Sequence, residues 1–139
     1  MVRVTRRYRF SASHRLHSPQ LSGEENRRIY GKCNYPFGHG HNYEIEISVR
    51  GPVDPETGLA VNPALLDQLV TERIVRPFDH RDLNTEVPEL SEFVPTTENL
   101  GRVIRQRLEE RWKDTFAGPW PALDTVRIRE TDRNIFEVD

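Results

Sequence analysis

Cysteine is almost absent from this chain of 139 residues, and a single copy, Cys33, excludes an internal disulfide. Such sparse use of cysteine predicts a reducing, cytoplasmic compartment. No apolar run approaches the roughly 18 residues that a membrane span requires. The opening residues, MVRVTRRYRF, have no apolar core of the kind found in signal peptides. These absences predict a cytoplasmic protein that does not enter a membrane.

An excess of charge of either sign is also missing. The 20 basic and 22 acidic residues are interspersed and leave a net charge of −2, which argues against nucleic acid or a membrane surface as partner. Hydrophobic residues make up 35% of the chain, less than the ~45–50% that is usual for globular proteins. We therefore expect one domain over residues 1–139 with polar cavities, or with surfaces that other copies cover.

Alternation of apolar and polar residues predicts four strands. The alternation is regular over residues 2–10 and has fewer exceptions over 43–50. Both segments are typical of half-buried strands. Two further short strands are predicted near the end, at about 124–130 and 134–138. Four strands leave two sheet edges that require cover, which favours self-association.

Two helices are predicted between the strand pairs. Asn62-Pro63 is typical of a helix start, and apolar residues follow it at helical spacing. A second helix is predicted from Thr96 or Thr97, again with an apolar stripe. The order ββααββ, with hairpin-length connections at each end, predicts an α+β domain. We expect a four-stranded antiparallel sheet with two helices on one face.

Three histidines share strand parity. His39 and His41 enter the second strand two residues apart, so both imidazoles face the same side about 7 Å apart. His14 continues the apolar parity of the first strand. If these strands pair, the three imidazoles meet, and three histidines without a fourth protein ligand describe an open, catalytic zinc site. The alternative is that His-Gly-His is a turn with two solvated histidines.

Two further segments carry reactive side chains. Cys33 lies in a loop-like segment six residues before His39 and is a candidate thiolate near a metal, either as a fourth ligand or as a general base. The spacing does not decide between these two roles. Asp79 directly precedes His80, and an acid beside an imidazole suits a proton relay. The alternative for this pair is a solvated, charged loop.

Glu130 shares parity with Val126 and Ile128, so the strand pattern points a carboxylate toward the apolar face. A buried acid without a partner is costly, and we expect Glu130 to meet a cation or a ligand with N–H donors. A glutamate turned into solvent at the strand end is the alternative. Thr97 and Glu98 are explained by a helix N-terminus alone.

Several motifs, in this order and spacing, resemble the 6-pyruvoyl tetrahydropterin synthase family over essentially the whole chain. They are FSASHRL (10–16), GKCNYPFGHGHNY (31–43), FDHRDLN (78–84), PTTEN (95–99) and RETDRNI (129–135). The resemblance implies the tunnelling fold (T-fold), in which trimers form a barrel and two trimers stack into a homohexamer. Active sites would then lie at subunit interfaces.

The resemblance also implies residue roles and a reaction. The reaction is the zinc-dependent conversion of 7,8-dihydroneopterin triphosphate to 6-pyruvoyl-tetrahydropterin with loss of triphosphate, in biosynthesis of the tetrahydrobiopterin type. Zinc would be held by three ligands, catalysis would use a base with its relay partners, and the pterin would be bound by three residues. The zinc ligands would be His14, His39 and His41. The catalytic residues would be Cys33, Asp79, His80 and Glu130. The pterin-binding residues would be Thr97, Glu98 and Glu130.

Two other functions are compatible with these motifs. The 6-carboxy-tetrahydropterin synthases of the queuosine and 7-deazapurine pathway resemble this chain and use the same substrate, but typically have a shorter gap between the cysteine and His-Gly-His. The five residues between Cys33 and His39 favour the pyruvoyl product, whereas Tyr35 and Phe37 replace expected small polar residues. A non-catalytic zinc- or pterin-binding protein is the third possibility, against which the intact catalytic set argues.

Overall fold

The two strands with the clearest alternation form the centre of the sheet. The computed structural model describes residues 1–139. Strand β1 (Val2–His14) pairs antiparallel with β2 (His39–Gly51) over their full length, from Val2 opposite Gly51 to His14 opposite His39. The strands predicted over 2–10 and 43–50 are therefore confirmed, and both extend to the histidines. Because a one-residue slip would expose the buried face, the apolar pattern holds this register.

Three shorter strands complete the sheet. Strand β3 (Arg81–Asp82) runs parallel to β1, β4 (Ala122–Arg129) pairs with β2, and β5 (Ile135–Val138) pairs with β4. The strand order is β3-β1-β2-β4-β5. The prediction of four antiparallel strands thus missed β3, which makes a fifth strand and a parallel pair. A strand of two residues has too few positions to show any alternation.

Helical segments fill the connections. They are α1 (Gly23–Tyr30), α2 (Pro63–Val70), which continues through a π turn (Thr71–Val75) into α3 (Arg76–Phe78), α4 (Leu83–Glu86) and α5 (Thr97–Thr115). Both predicted helix starts are confirmed, because the Asn62 side chain accepts from the backbone of Ala64 and Thr96 accepts from Asn99. None of the helices has both the length and the apolar character needed to span a membrane.

Helix α1 is absent from the sequence prediction. Its start carries a capping box, in which Ser22 accepts from the Glu25 backbone and the Glu25 carboxylate accepts from the Ser22 backbone. The helix buries only Asn26, so it has no apolar stripe that periodicity could detect. The Ser-x-x-Glu spacing was the one signal available for it.

The core lies between one sheet face and the helices. Apolar side chains of β1, β2 and β4 pack beneath α2, α3 and α5, with Tyr43, Ile45, Ile47, Leu66, Phe78, Leu100, Ile104 and Ile128 fully buried. The α+β class is therefore confirmed. The opposite face carries polar cross-strand pairs, such as Arg7 with Glu46 at 2.9 Å. In a single chain this second face has no helical cover.

One ion pair ties α5 to the segment that leads to the site. Arg107 donates from two nitrogens to both carboxylate oxygens of Glu89, at 2.6 and 2.7 Å, and its guanidinium lies 4.7 Å from the ring centroid of Phe78. These hydrogen bonds lower the pKa of Glu89. Because both side chains are largely buried, this pair fixes the turn Pro88–Leu90 against the helix.

We expect Gly101→Ala in α5 to destabilise the protein, although alanine in a helix interior is usually favoured by about 1 kcal/mol. A Cβ at Gly101 would lie 2.7 Å from Cγ2 of Val138, a β-branched side chain that cannot rotate away freely. Overpacking of this kind costs about 1–3 kcal/mol. Urea unfolding should show a lower midpoint for Gly101→Ala and recovery in Gly101→Ala/Val138→Ala. An unchanged or higher midpoint in the single variant would contradict the close packing.

Candidate active site

The register of β1 and β2 brings the three predicted histidines together at one end of the core face. The ring centroids of His14 and His39 are 4.6 Å apart, those of His39 and His41 4.7 Å, and those of His14 and His41 5.1 Å. One nitrogen from each ring lies within 4.8 Å of the other two. His14 is buried and the other two are half-buried. This cluster can hold a metal ion, as predicted.

The orientation of His14 is set by a backbone carbonyl. Its Nδ1 lies 2.8 Å from the oxygen of Pro95. Because a carbonyl only accepts, Nδ1 carries the hydrogen and the neutral ring has a lone pair on Nε2. That Nε2 lies 3.0 Å from Nε2 of His39, inside the cluster. A histidine whose outer nitrogen donates to a carbonyl is the usual arrangement of a metal ligand.

Unsatisfied nitrogens fit the same interpretation. Nε2 of His41 and Nδ1 of His39 are buried and make no hydrogen bond. Burial, followed by the mutual repulsion of the rings, lowers the pKa of His39, and burial likewise lowers the pKa of His14. Both effects favour neutral imidazole, the form that binds a metal. The donor set therefore fits a divalent transition metal better than it fits three solvated histidines.

The Cys33 carbonyl accepts from the Leu16 N–H, two residues beyond His14, but Cys33 is not one of the members of the histidine cluster. It sits in a 3₁₀ turn, Gly31–Asn34, and is half-buried. Burial is the main cause that raises the pKa of its thiol, and the negative charge of Glu130 adds to this rise. The thiol and the Glu130 carboxylate thus share one environment.

Glu130 and Thr97 meet, although they are distant in sequence. The Thr97 hydroxyl donates to Oε2 of Glu130, and Thr97 is buried in the first turn of α5. The Glu130 backbone N–H donates to the carbonyl of Asn134, which closes the turn between β4 and β5. The carboxylate therefore points inward as the parity predicted. Glu98, the other predicted pterin residue, is exposed and forms no ion pair within this chain.

Asp79 and His80 lie at the outer edge of β1. One carboxylate oxygen of Asp79 accepts from the Ser11 N–H at 2.9 Å, and the His80 N–H donates to the Ser11 carbonyl at 2.6 Å. Nε2 of His80 is 3.6 Å from Asp79, and 82% of the imidazole side chain is exposed. His80 also has a φ of 59°, in the left-handed region. No hydrogen bond joins this pair to Cys33 within one chain.

Two aromatic residues lie in the loop that enters β2. Tyr35 and Phe37 lie between Cys33 and His39, with ring centroids 5.6 Å apart, and Phe37 is 88% exposed. The loop then passes close to β1, because a Cβ on Gly38 (φ 75°) would stand 3.1 Å from the carbonyl oxygen of His14. The loop is thus fixed against the strand while its aromatic rings face solvent.

Sequence reasoning missed the residues that support this site. Pro95 acts through its carbonyl, which no side-chain pattern reveals. Asn34 is 6% exposed and bonds to the segment that follows β1, and the motif gave no reason to separate it from its neighbours. The three histidines come together as predicted, whereas the contact between Glu130 and Thr97 was not predicted from the sequence.

Comparison with known proteins agrees with this geometry. The family model of 6-pyruvoyl tetrahydropterin synthase matches residues 3–139. The 6-pyruvoyl tetrahydrobiopterin synthase of Poecilia reticulata is 48% identical over 134 residues, 95% of this chain and 86% of that protein. The solved 6-pyruvoyl tetrahydropterin synthase of Caenorhabditis elegans is 38% identical with a TM-score of 0.88, covering 99% of this chain and 94% of that one.

A relative named for the other product matches less well. The 6-carboxy-5,6,7,8-tetrahydropterin synthase of Rickettsia bellii is 34% identical over 80 residues, which are 58% of this chain and 49% of that protein. The resemblance seen in the motifs is confirmed, and this chain belongs to the 6-pyruvoyl tetrahydropterin synthase family.

Proposed function

We propose that this chain converts 7,8-dihydroneopterin triphosphate to 6-pyruvoyl-tetrahydropterin and releases triphosphate. One observation carries the proposal: an open histidine cluster, a half-buried cysteine and an inward carboxylate meet at the same end of the core face. The reaction needs no external reductant, because the side chain of the substrate is oxidised while its ring is reduced. The site therefore has to bind, orient and move protons.

Zinc is the metal that we propose, held by Nε2 of His14 and by one nitrogen each from His39 and His41. When bound, it would polarise the side-chain oxygens of the substrate and acidify the neighbouring C–H bonds. Three protein ligands leave room for those oxygens. The hydrogen bond from His14 to Pro95 keeps that ring in the tautomer that such binding needs.

Cys33 is the base in this proposal. Its thiol lies outside the histidine cluster, so its Sγ remains free to take up and return protons. Burial and the charge of Glu130 raise the pKa of the thiol, which makes the thiolate a stronger proton acceptor once it forms. A side chain that must exchange protons with carbon benefits from this basicity.

Glu130 and Thr97 orient the pterin in this proposal. A carboxylate accepts two parallel hydrogen bonds from the amino and ring N–H groups of a pterin, and this pairing sets the orientation of the ring. The Thr97 hydroxyl donates to one carboxylate oxygen and so holds the side chain in place for that pairing. Glu98, at the exposed start of α5, is proposed to line the same pocket.

Asp79 and His80 enter the site from a second copy in this proposal. Within one chain they lie directly before the edge strand β3, with the imidazole exposed and no bond to Cys33. An assembly of T-fold trimers stacked into a homohexamer would cover the sheet edges and the polar sheet face. His80, oriented by Asp79, would then relay protons at an interface.

The pyruvoyl product is favoured over the 6-carboxy product. Five residues separate Cys33 from His39, and the relative named for the 6-carboxy product matches only 58% of the chain. Mass analysis of the reaction of zinc-loaded protein with 7,8-dihydroneopterin triphosphate tests this choice. We expect a 6-pyruvoyl product and free triphosphate. A 6-carboxy product with acetaldehyde would overturn the assignment, and bound zinc without turnover would favour a non-catalytic protein.

Cys33→Ala should abolish turnover without releasing zinc, because the thiol is a base and not a ligand. General-base removal costs about a hundredfold to ten-thousandfold in kcat. Single-turnover assays and metal analysis of the purified variant test both halves of this expectation. His39→Ala is the matched control and should lose metal as well as activity. Loss of zinc from Cys33→Ala would instead identify Cys33 as a fourth ligand.

Mixed assemblies should recover activity if Asp79 and His80 act across an interface. Cys33→Ala and His80→Ala, each inactive alone, would together form sites with a native cysteine from one copy and a native histidine from another. With equal amounts and random exchange, about a quarter of the sites are intact. Mixing Cys33→Ala with Cys33→Ala/His80→Ala is the control and should stay inactive. Absence of recovery in assemblies shown to be mixed would place the relay within one chain.

A further inference from the structure

The Cys33 turn is joined by hydrogen bonds to the three residues that follow the metal ligand His14. The Leu16 N–H donates to the Cys33 carbonyl at 2.9 Å, and Nε of Arg15 donates to the Asn34 carbonyl at 3.0 Å. The buried Asn34 side chain donates from Nδ2 to the Leu16 carbonyl at 2.8 Å. Nδ2 also lies 3.0 Å from Nδ1 of His17. No role in the proposed reaction accounts for Asn34 or His17.

The chemistry of these groups determines who donates. The Leu16 carbonyl can only accept, so the Asn34 atom beside it must be the amide nitrogen. That nitrogen has two hydrogens, and the second points to Nδ1 of His17, which therefore acts as an acceptor. Nδ1 of His17 therefore carries no hydrogen in this arrangement. Both amide hydrogens are used, and the Asn34 amide cannot flip without losing two bonds.

We propose that His17, acting through Asn34, is a positioning residue for the Cys33 thiol. Asn34 follows Cys33 directly, and its side chain is anchored to the chain just beyond His14. The side-chain bonds of Asn34 and Arg15 thereby add to the backbone bond between Leu16 and Cys33 in holding the Cys33 turn against the segment that follows His14. This inference rests on the proposed function of Cys33 as a base.

Two substitutions at His17 distinguish the effect of its hydrogen bond to Asn34 from the effect of side-chain volume. Asn places its Oδ1 where the imidazole has Nδ1, so His17→Asn keeps an acceptor for Asn34, whereas His17→Leu removes it. We expect kcat in His17→Leu to fall about tenfold with KM unchanged, the equivalent of about 1.4 kcal/mol in the barrier. In His17→Asn, kcat should stay within about twofold of the native value.

Alkylation of the zinc-loaded protein supplies a readout that does not depend on turnover. Cys33 is the only thiol, so iodoacetamide labelling followed by mass analysis reports on it alone. We expect His17→Leu to label several times faster, because the half-buried thiol is no longer held, and His17→Asn to label at the native rate. Asn34→Asp removes both hydrogens of the side-chain amide and should raise the labelling rate as His17→Leu does. It provides a second test should His17→Leu fail to fold.

The outcomes are distinguishable from failure of the proposed function. Equal labelling rates and equal kcat in His17→Leu and His17→Asn would overturn the positioning role, whatever Cys33 does. Turnover in Cys33→Ala would overturn the role of the thiol as base, and the labelling rates would still test whether His17 holds it. A rise in KM with kcat unchanged would show instead that His17 contacts substrate.

Discussion

Pairing of β1 with β2 is the constraint on which the rest of the structure depends. The ladder runs without a break from Val2 opposite Gly51 to His14 opposite His39. Its register is held by apolar side chains on one face, so a slip of one residue would turn the core residues and the histidines outward together. Burial of the apolar face therefore determines the positions of the histidines in the site. Helices α2 and α5 cover the same face and leave its histidine end open to the loops.

Three asparagines stabilise the irregular chain that leaves β1. Asn84 bonds to both backbone groups of Arg15, Asn34 reaches Leu16 and His17, and the fully buried Asn26 bonds to both backbone groups of Ser18. Each comes from a different part of the chain. Amide side chains offer a donor and an acceptor at once, which allows a segment outside helix or sheet to be buried without unsatisfied polar groups. The low apolar content of the chain is consistent with such polar packing.

The predictability of each feature follows from the physics behind it. Strand parity placed His14, His39 and His41 on one face because side-chain direction alternates strictly in a strand. The same parity turned Glu130 inward, where Thr97 meets it. By contrast, β3 has two residues and α1 buries no apolar side chain, so neither carries a periodic signal. The supporting contacts of Pro95 and Asn34 are made by a carbonyl and an amide between distant segments, and no local pattern encodes them.

The hydrogen bond from His14 to Pro95 connects the histidine cluster to the segment that holds Glu130. Coordination of a cation at Nε2 withdraws electron density from the ring and makes Nδ1–H a stronger donor to that carbonyl. Pro95 lies two residues before Thr97, whose hydroxyl holds the Glu130 carboxylate. The histidine cluster and the Glu130–Thr97 pair are therefore linked through a few covalent bonds of one short segment. By thermodynamic reciprocity, any effect of a cation at the histidines on a ligand at Glu130 would be matched by an equal effect of that ligand on the cation.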